Sequence, residues 1–346
     1  MRGTDVGARS GPSVVVLGGT GFLGRHLGEA FAALGSQVHR VARGGPDRPP
    51  GDAGIVRLDL LTAAPQEIAE FLGSVRAEVI VNAAGRAWQA DEAEMTAGNA
   101  VLVERLVDVI SLLPGPSVRL VQLGSVHEYG AGASDAGTTE EHEPAPVTAY
   151  GRTKLLGTRE VLHAAEHRGI DGVVLRLANV IGAGAPAGSL FGRVAAHLAE
   201  AARADARGEK AAALRLPPLR AARDVVDAGD VAAAVVAAAT APGARVTGRV
   251  INVGRGQAVP MRRLIDRMVA LSGLEVPVTE DDAVGTSRTD VDRQRLDISR
   301  ARELLGWRPR RSLDASLREL LAAGLPPHDT PSGTHTDMPV NERERP

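Results

Sequence analysis

The chain has 346 residues, of which 44% are hydrophobic and 24% are charged, and its formal net charge at pH 7 is -2. This length suffices for one large α/β unit or two coupled domains, and the composition is ordinary for a globular enzyme. The small net charge gives no support for binding nucleic acid or an anionic membrane surface. Because the chain has no cysteine, disulfides, thiolate metal sites and cysteine nucleophiles are excluded, which fits a cytosolic location.

Strand and helix patterns alternate along the first half of the chain. A β-branched run at residues 13–17 predicts a buried parallel strand, and a glycine-rich turn then leads into an amphipathic helix over 22–34. Further strands are predicted at 37–42, 55–58, 78–82 and 118–123, with helices at 65–72 and 92–113. This alternation is typical of an α/β fold with a doubly wound parallel sheet, the Rossmann arrangement.

The second half of the chain is less regular. A helix is predicted over 149–167 and a sixth strand over 173–180, followed by helices at 190–206, 231–239, 261–271 and 299–305 and a strand at 250–253. We interpret 13–175 as a dinucleotide-binding domain and 176–325 as a smaller α/β substrate lobe interleaved with the last strands of the sheet. The polar ends, 1–12 and 326–346, are predicted to be disordered. The most apolar run, 231–241, is shorter than the roughly 20 residues that span a bilayer.

Three glycines recur directly after the first predicted strand, at Gly18, Gly21 and Gly24. Glycine there allows a tight turn and a close approach of the backbone to a pyrophosphate. The helix that follows, opening with Phe22 and Leu23, presents its N–H groups to the phosphates. A glycine-rich turn alone is a weak signal, but its place between strand and helix predicts a nicotinamide dinucleotide site.

The end of the second predicted strand bears on the choice between NAD and NADP. A carboxylate there would bond the ribose hydroxyls of NAD, whereas this chain has Ala42 followed by Arg43. An arginine pairs with a 2′-phosphate, so NADP(H) is favoured and NAD(H) stays open, the alternative being a solvated surface arginine. The ends of the third and fourth predicted strands are expected to contact the cofactor through Asp59, Leu60, Ala83 and Ala84. For Asp59, capping of a helix is an equal alternative.

Tyr150 and Lys154 lie four residues apart in a predicted helix and so share one face. An ammonium group stabilises a phenolate, and a nicotinamide ribose can bond to both groups, so the pair suits acid–base chemistry. The spacing also occurs by chance, with Tyr150 as a core aromatic, but its place after a complete Rossmann half favours catalysis. Ser125 follows the fifth strand at the edge where ligands lie, and its hydroxyl can donate to a substrate carbonyl oxygen.

These motifs together resemble the extended short-chain dehydrogenase/reductases that act on nucleotide sugars, over residues 14–321. Further support comes from Asn99 and from the segments 176–182, 223–231, 251–254 and 297–309. The resemblance implies that Tyr150 transfers the proton, that Lys154 lowers its pKa and that Ser125 anchors the carbonyl. It also implies a nucleotide-sugar substrate, a homodimer and no metal. The implied cofactor contact is Asn99, and the implied substrate contacts are His127, Asn179, Arg223 and Arg288.

Departures from the family pattern narrow the reaction. Val126 and His127 stand where the 4,6-dehydratases carry an Asp–Glu pair, and valine is neither acid nor base, so dehydration is disfavoured. The absence of cysteine argues against the dual epimerase-reductases. With Ala42 and Arg43, and with segments 124–130 and 218–224, the chain looks most like the NDP-4-keto-6-deoxyhexose reductases of the GDP-4-keto-6-deoxymannose type.

We therefore predict NADPH-dependent reduction of the C4 ketone of a nucleotide-activated 4-keto-6-deoxyhexose. Two alternatives stay open: a C4 epimerase that retains NAD, and a non-catalytic NADP-binding sensor on the same fold. The sequence leaves the nucleotide and the sugar undetermined.

Overall fold

The computed structural model describes residues 11–43, 54–87, 90–115, 117–133, 137–282 and 293–322. In chain order the strands are β1 Ser13–Leu17, β2 Gln37–Ala42, β3 Ile55–Arg57, β4 Val79–Asn82, β5 Arg119–Ser125, β6 Gly172–Leu177, β7 Asn179–Ile181, β8 Leu214–Leu216, β9 Ala222–Asp227, β10 Arg249–Val253, β11 Ala258–Pro260, β12 Val278–Glu280 and β13 Arg293–Gln294. The α-helices are α1 Phe22–Ala32, α2 Pro65–Ser74, α3 Glu92–Thr96, α4 Leu102–Leu112, α5 Ala149–His167, α6 Leu190–Ala206, α7 Ala228–Thr240, α8 Gly243–Val246, α9 Met261–Ser272, α10 Ser299–Leu305 and α11 Leu313–Ala322. None of the helices in these ranges is both long and apolar enough to cross a membrane.

A seven-stranded parallel sheet forms the centre of the fold, with the spatial order β10-β6-β5-β4-β1-β2-β3. Every residue of β1 and β4 is buried, which explains why these strands read as continuous apolar runs. The chain leaves β1 toward β2 on one side and returns to β4 on the other. The carboxyl ends of β1 and β4 therefore form the topological switch point at which ligands bind in such sheets.

A second, smaller sheet joins β11, β9 and β13, with β7 also paired to β9, and a separate ribbon pairs β8 with β12. The small sheet and the ribbon share a distinct apolar cluster, which includes Phe191 of α6, Leu264 of α9 and Leu317 of α11. The large sheet has its own apolar clusters, which include side chains of α1 and α7 in one case and of α2 and α4 in the other. The division into two domains at residue 175 stays a prediction.

The expected helix over 92–113 is not a single α-helix. Residues Ala97–Val101 form a π-helical turn between α3 and α4, with Asn99 at its centre. Asn99 is 1% exposed, and its amide nitrogen donates to the Thr153 hydroxyl of α5 at 3.1 Å. A π-turn widens the helix locally and often marks a functional position. Gly98, Asn99 and Val101 are weaker helix formers than alanine, but none of them specifies a π-turn rather than an ordinary α-helical turn.

The expected strand over 173–180 is also divided. It ends at Leu177, and Ala178 donates its N–H to the Val253 carbonyl of β10 before β7 begins at Asn179 in the second sheet. Ala178 and Asn179, where one sheet is exchanged for the other, are residue types that are depleted in strands, so the run carried a weak local signal for the break. The short strands β8, β9, β11, β12 and β13 and the helices α8 and α11 were likewise not predicted.

Candidate active site

The turn between β1 and α1 is shaped by glycines that leave no room for a side chain. Gly18 has a φ of +72°, and a β-carbon there would lie 2.8 Å from the Ala84 backbone nitrogen. A β-carbon on Gly24 would lie 2.2 Å from the Gly18 carbonyl oxygen, so Gly24 allows α1 to pack on the turn. Gly21 caps α1 without a side-chain hydrogen bond, which leaves the first N–H groups of the helix to a ligand. The turn is therefore a fitting cradle for a pyrophosphate.

A groove of about 650 Å³ runs from this turn across the ends of β2 and β4. Its shape and its small-residue floor fit an extended dinucleotide, and seven of the residues predicted to contact the cofactor line it: Gly18, Gly21, Arg43, Asp59, Leu60, Ala83 and Ala84. Asp59 also accepts the Leu61 N–H at 3.0 Å within the turn after β3. It does not cap the helix that follows, because the N-cap of α2 is Ala64. Phe22 and Leu23 lie at the start of α1, both partly buried.

Two charged residues of the groove, Arg86 and Glu94, were not singled out from the sequence. Arg86 follows the small-residue end of β4, which is the only local signal for it. The side chain of Asn99 accepts the Arg86 N–H at 2.9 Å and donates to the Arg86 carbonyl at 2.8 Å. Asn99 thus fixes the loop that borders the groove, and its amide is bonded to protein atoms rather than turned toward the space the cofactor would fill.

Helix α5 carries the predicted acid–base pair to the end of β5. Thr148 caps the helix by accepting the Gly151 N–H at 3.0 Å. A β-carbon on Gly151 would lie 2.4 Å from the His127 carbonyl oxygen, so glycine allows α5 to approach the turn after β5. Lys154 is buried and donates its Nζ to the Leu123 carbonyl at 2.5 Å, two residues before Ser125. The helix therefore brings Tyr150 and Lys154 to the strand end that holds Ser125.

The electrostatics distinguish the two tyrosines of the chain. Tyr129 is 1% exposed, its hydroxyl donates to Asn252 at 2.9 Å, and burial raises its pKa to about 12. Tyr150 is partly exposed, and its ring meets that of His127 edge-on with the centroids 5.6 Å apart. Burial lowers the pKa of Lys154, while the negative charge of Glu128 acts in the opposite direction. Of the two phenols, Tyr150 is the one with access to a substrate.

The predicted substrate residues Asn179 and Arg223 meet in the small sheet, where β7 and β13 both pair with β9. Asn179 donates to the Asp224 carbonyl at 3.1 Å and to the Gln294 side-chain oxygen at 3.3 Å. Ser125 pairs with Leu177 across the large sheet, so Asn179 begins the segment that leaves this edge. Arg288 lies outside the described residues.

Gln294 was missed by sequence reasoning. It is 3% exposed, it is paired in register with Arg223, and its side-chain nitrogen has no hydrogen-bond partner in the described part of the chain. A buried donor without a partner is costly and calls for an explanation, which a polar ligand would supply.

Comparison with known proteins agrees with this geometry. A model of the NAD dependent epimerase/dehydratase family matches residues 14–254. A relative from Kitasatospora kifunensis, dTDP-6-deoxy-L-talose 4-dehydrogenase (NAD(P)(+)), is 43% identical over 311 residues, which are 90% of this chain and 95% of the relative.

Solved structures share the whole fold. MoeE5 in complex with UDP-glucuronic acid and NAD is 26% identical with a TM-score of 0.74, and the match covers 90% of this chain and 98% of that one. RMD from Pseudomonas aeruginosa complexed with NADPH is 24% identical with a TM-score of 0.75 and the same coverage, which supports the fold. The predicted fold class is thus confirmed, and the chain belongs to the NAD dependent epimerase/dehydratase family as an NAD(P)-dependent oxidoreductase of the extended short-chain dehydrogenase/reductase type.

Proposed function

We propose that this enzyme interconverts the C4 ketone and the C4 alcohol of a dTDP-activated 6-deoxyhexose. The observation that supports the proposal is the position of α5, whose Lys154 bonds the Leu123 carbonyl of β5 and whose Tyr150 ring meets that of His127, two residues after Ser125. The sugar is inferred from the 43% identical relative, whose name specifies dehydrogenation of dTDP-6-deoxy-L-talose at C4. Such a dehydrogenation and the reduction of the corresponding 4-ketone are one hydride transfer written in opposite directions.

The chain's own groups handle the oxygen and the proton. The hydroxyls of Ser125 and Tyr150 hold the C4 oxygen, and Tyr150 gives its proton to that oxygen as the ketone is reduced. The Lys154 ammonium stabilises the phenolate left behind, and the phenol regains its proton from solvent. A bound nicotinamide supplies the hydride in this direction and accepts it in the other. In oxidation of the alcohol, the Tyr150 phenolate is the base.

Arg43 supports NADP(H) as the preferred cofactor. It lines the groove directly after β2, and the residue before it, Ala42, provides no carboxylate to repel a 2′-phosphate. Asp59 and Glu94 also line the groove, and the name of the 43% identical relative includes both cofactors. We therefore propose a preference for NADP(H) with residual use of NAD(H).

The small sheet is proposed to hold the nucleotide end of the substrate. The guanidinium of Arg223, on a residue only 5% exposed, suits the diphosphate, and Asn179 and Gln294 offer amide groups beside it. His127, whose ring contacts Tyr150, is proposed to meet the sugar. Arg288, which the resemblance implies as a further substrate-binding arginine, is proposed to contact the substrate as well.

A homodimer is proposed through the outer faces of α4 and α5, which pack on each other. Leu112 of α4 is 75% exposed, Leu156 of α5 is 49% exposed and Val101 of the π-turn is 40% exposed. Exposed apolar side chains grouped on neighbouring helices are typical of an interface.

The test is turnover of a dTDP-4-keto-6-deoxyhexose with NADPH, and of the C4 alcohol with NADP⁺, followed by nicotinamide absorbance. Tyr150→Phe should bind NADPH normally and lose kcat by about 10²–10⁴-fold, the range of a general acid or base. The matched control is Tyr129→Phe, which should retain most of the rate because its hydroxyl bonds to Asn252 inside the protein. Full activity of Tyr150→Phe would contradict the assigned proton donor. NADPH binding without turnover of any C4 substrate would favour the sensor.

A C4 epimerase is the second candidate. UDP-glucose 4-epimerase from Azospirillum brasilense is 27% identical over 350 residues, covering 92% of this chain and 93% of that relative. An epimerase would purify with NAD bound and interconvert C4 epimers without added cofactor. The proposed reaction instead consumes stoichiometric NADPH, so the two outcomes are distinct in one assay.

A further inference from the structure

A buried ion pair lies directly beside the end of β5. Glu128, in the 3₁₀ turn Val126–Tyr129, is 0% exposed, and one carboxylate oxygen accepts the Ser125 N–H at 2.7 Å. The other oxygen accepts the Arg176 Nε–H of β6, also at 2.7 Å. Charges are rarely buried so completely, because each loses its hydration and apolar residues would often be equally stable there. The complete burial of this pair therefore indicates a role beyond stability.

Neighbouring residues hold the pair in a single arrangement. A β-carbon on Gly124 would lie 2.7 Å from the Glu128 carboxylate, so glycine allows the acid to sit against the strand. On the other side, the Arg176 guanidinium carbon stacks 4.4 Å from the centroid of the Tyr129 ring. The ring of Tyr129 is itself buried, and its phenol donates to Asn252 inside the protein.

Glu128 touches one of the proposed reacting groups and acts by charge on another. Its carboxylate fixes the backbone of Ser125, whose hydroxyl in turn accepts the His127 N–H at 3.3 Å. Lys154 is bonded to the Leu123 carbonyl of the same strand end, and the Glu128 charge favours its ammonium form. Two buried groups of opposite charge thus bond the backbone of the last three residues of β5.

Other titratable groups surround Lys154 on the elements that pack against α5. Arg176 of β6 is paired with Glu128, and Tyr129 keeps its proton because burial raises its pKa to about 12. Tyr150 and His127 stand at the open side of the site. The titratable and charged groups that bear on the protonation of Lys154 are therefore Glu128, His127, Tyr129, Tyr150 and Arg176.

We propose that Glu128, held by Arg176, is a positioning residue for the reaction: its hydrogen bond fixes Ser125 at the carbonyl-binding position, and its negative charge supports the ammonium of Lys154 at the same strand end while Tyr150 transfers its proton. This inference rests on the proposed function. It assigns two separable tasks to one carboxylate, and each task has its own observable.

Substitutions at Glu128 separate these tasks. Glu128→Gln keeps an acceptor for the Ser125 N–H and removes the charge. It is combined with Arg176→Gln, because Arg176 alone would be a buried charge without a counter-ion. Glu128→Asp keeps the charge but draws it back from Ser125. The matched control is Glu92→Gln, which neutralises an exposed acid paired with Arg152 of α5 at 2.9 Å.

Two readouts are followed against pH: the NADPH dissociation constant and kcat for oxidation of the C4 alcohol. In the double variant, NADPH affinity should begin to decline at a lower pH than in the wild type, because Lys154 loses its proton more easily without the Glu128 charge. The acid limb of the oxidation profile should move to higher pH, since a neutral lysine does not stabilise the Tyr150 phenolate. In Glu128→Asp both profiles should keep their midpoints while kcat falls about tenfold or more.

Unmoved midpoints in a folded double variant would overturn the charge role, and an unchanged kcat in Glu128→Asp would overturn the positioning role. If the double variant does not fold, moved midpoints in Glu128→Asp would count against the division of tasks and unmoved ones would support it. Glu92→Gln should match the wild type throughout. If the wild type turns over no C4 substrate, the proposed function fails on its own, and the NADPH titration still decides whether Glu128 sets the charge of Lys154.

Discussion

Gly24 is the position at which the glycine turn is most sensitive to a single methyl group. A β-carbon there would lie 2.2 Å from the Gly18 carbonyl oxygen, 2.7 Å from the Gly19 Cα and 2.9 Å from the Gly18 carbonyl carbon. All three are backbone atoms, so no side chain can rotate away. Since non-bonded contacts settle at roughly 3.5 Å, the turn and α1 would have to separate by about 1 Å in Gly24→Ala.

The energetic cost follows from that displacement. Overpacking of this kind costs about 1–3 kcal/mol and sometimes more. Because backbone must move here, we expect Gly24→Ala to lower the free energy of unfolding by about 3 kcal/mol. The displaced N–H groups are also those that face the phosphates, and charge-assisted hydrogen bonds contribute about 1.5–3 kcal/mol each. Weakening one of them should raise the NADPH dissociation constant about tenfold or more.

Gly73→Ala is the matched control, because it adds the same methyl group where nothing lies within 4 Å. Gly73 is exposed in the last turn of α2, where alanine is favoured over glycine by about 0.5–1 kcal/mol. Urea unfolding should therefore show a gain for Gly73→Ala and a loss for Gly24→Ala, with NADPH affinity changed only in the latter. Wild-type stability and affinity in Gly24→Ala would refute the reasoning, as would an equal loss in both variants.

Three further predictions concern charge and protonation. Arg43→Ala should raise the KM for NADPH about tenfold or more and leave the KM for NADH unchanged, and equal effects on both would contradict a 2′-phosphate contact. Lys154→Met should reduce kcat at least about 100-fold while chemical unfolding shows equal or greater stability, because burial penalises the ammonium; a stability loss would contradict this. Tyr129 has a folded-state pKa of about 12 against 10.0 when unfolded, so its contribution to stability is complete below pH 10.0 and is lost as pH rises through about 12. The stability difference between wild type and Tyr129→Phe should therefore shrink over that window in unfolding titrations, and a constant difference would count against the buried phenol.

Local patterns were enough to predict the large sheet. The runs at residues 13–17 and 37–42 are β1 and β2 to the residue, and the helix predicted at 149–167 is α5 to the residue. These elements are decided by apolar periodicity, by Thr148 as an N-cap and by glycines at their ends, all of which act within a few residues. The same local rules predict Tyr150 and Lys154 on one face, which the helix provides.

Contacts between distant parts of the chain were beyond the reach of such rules. The break at Ala178 depends on a hydrogen bond to Val253, and the strand β9 is held by β7, β11 and β13, which come from three separate regions. The residues 222–227 carry two aspartates and an arginine, a composition that disfavours a strand in isolation. The strand β9 tolerates this composition because the buried carboxylate of Asp224 accepts the backbone N–H groups of residues 255, 256 and 296.

The same distinction explains why sequence patterns assign a role to Ser125 but none to Glu128, which enters only as part of the segment 124–130. Ser125 can be interpreted from its place after a strand, since the edge of a parallel sheet has a general chemical meaning. Glu128 gains its meaning only from Arg176, 48 residues further along, and that partner is brought to it because β6 happens to pair with β5. A lone glutamate in a sequence is by default a solvated surface charge. The positioning role proposed for Glu128 rests on its burial against an arginine, a glycine and the end of a strand, and these contacts can be recognised only when the strand order is known.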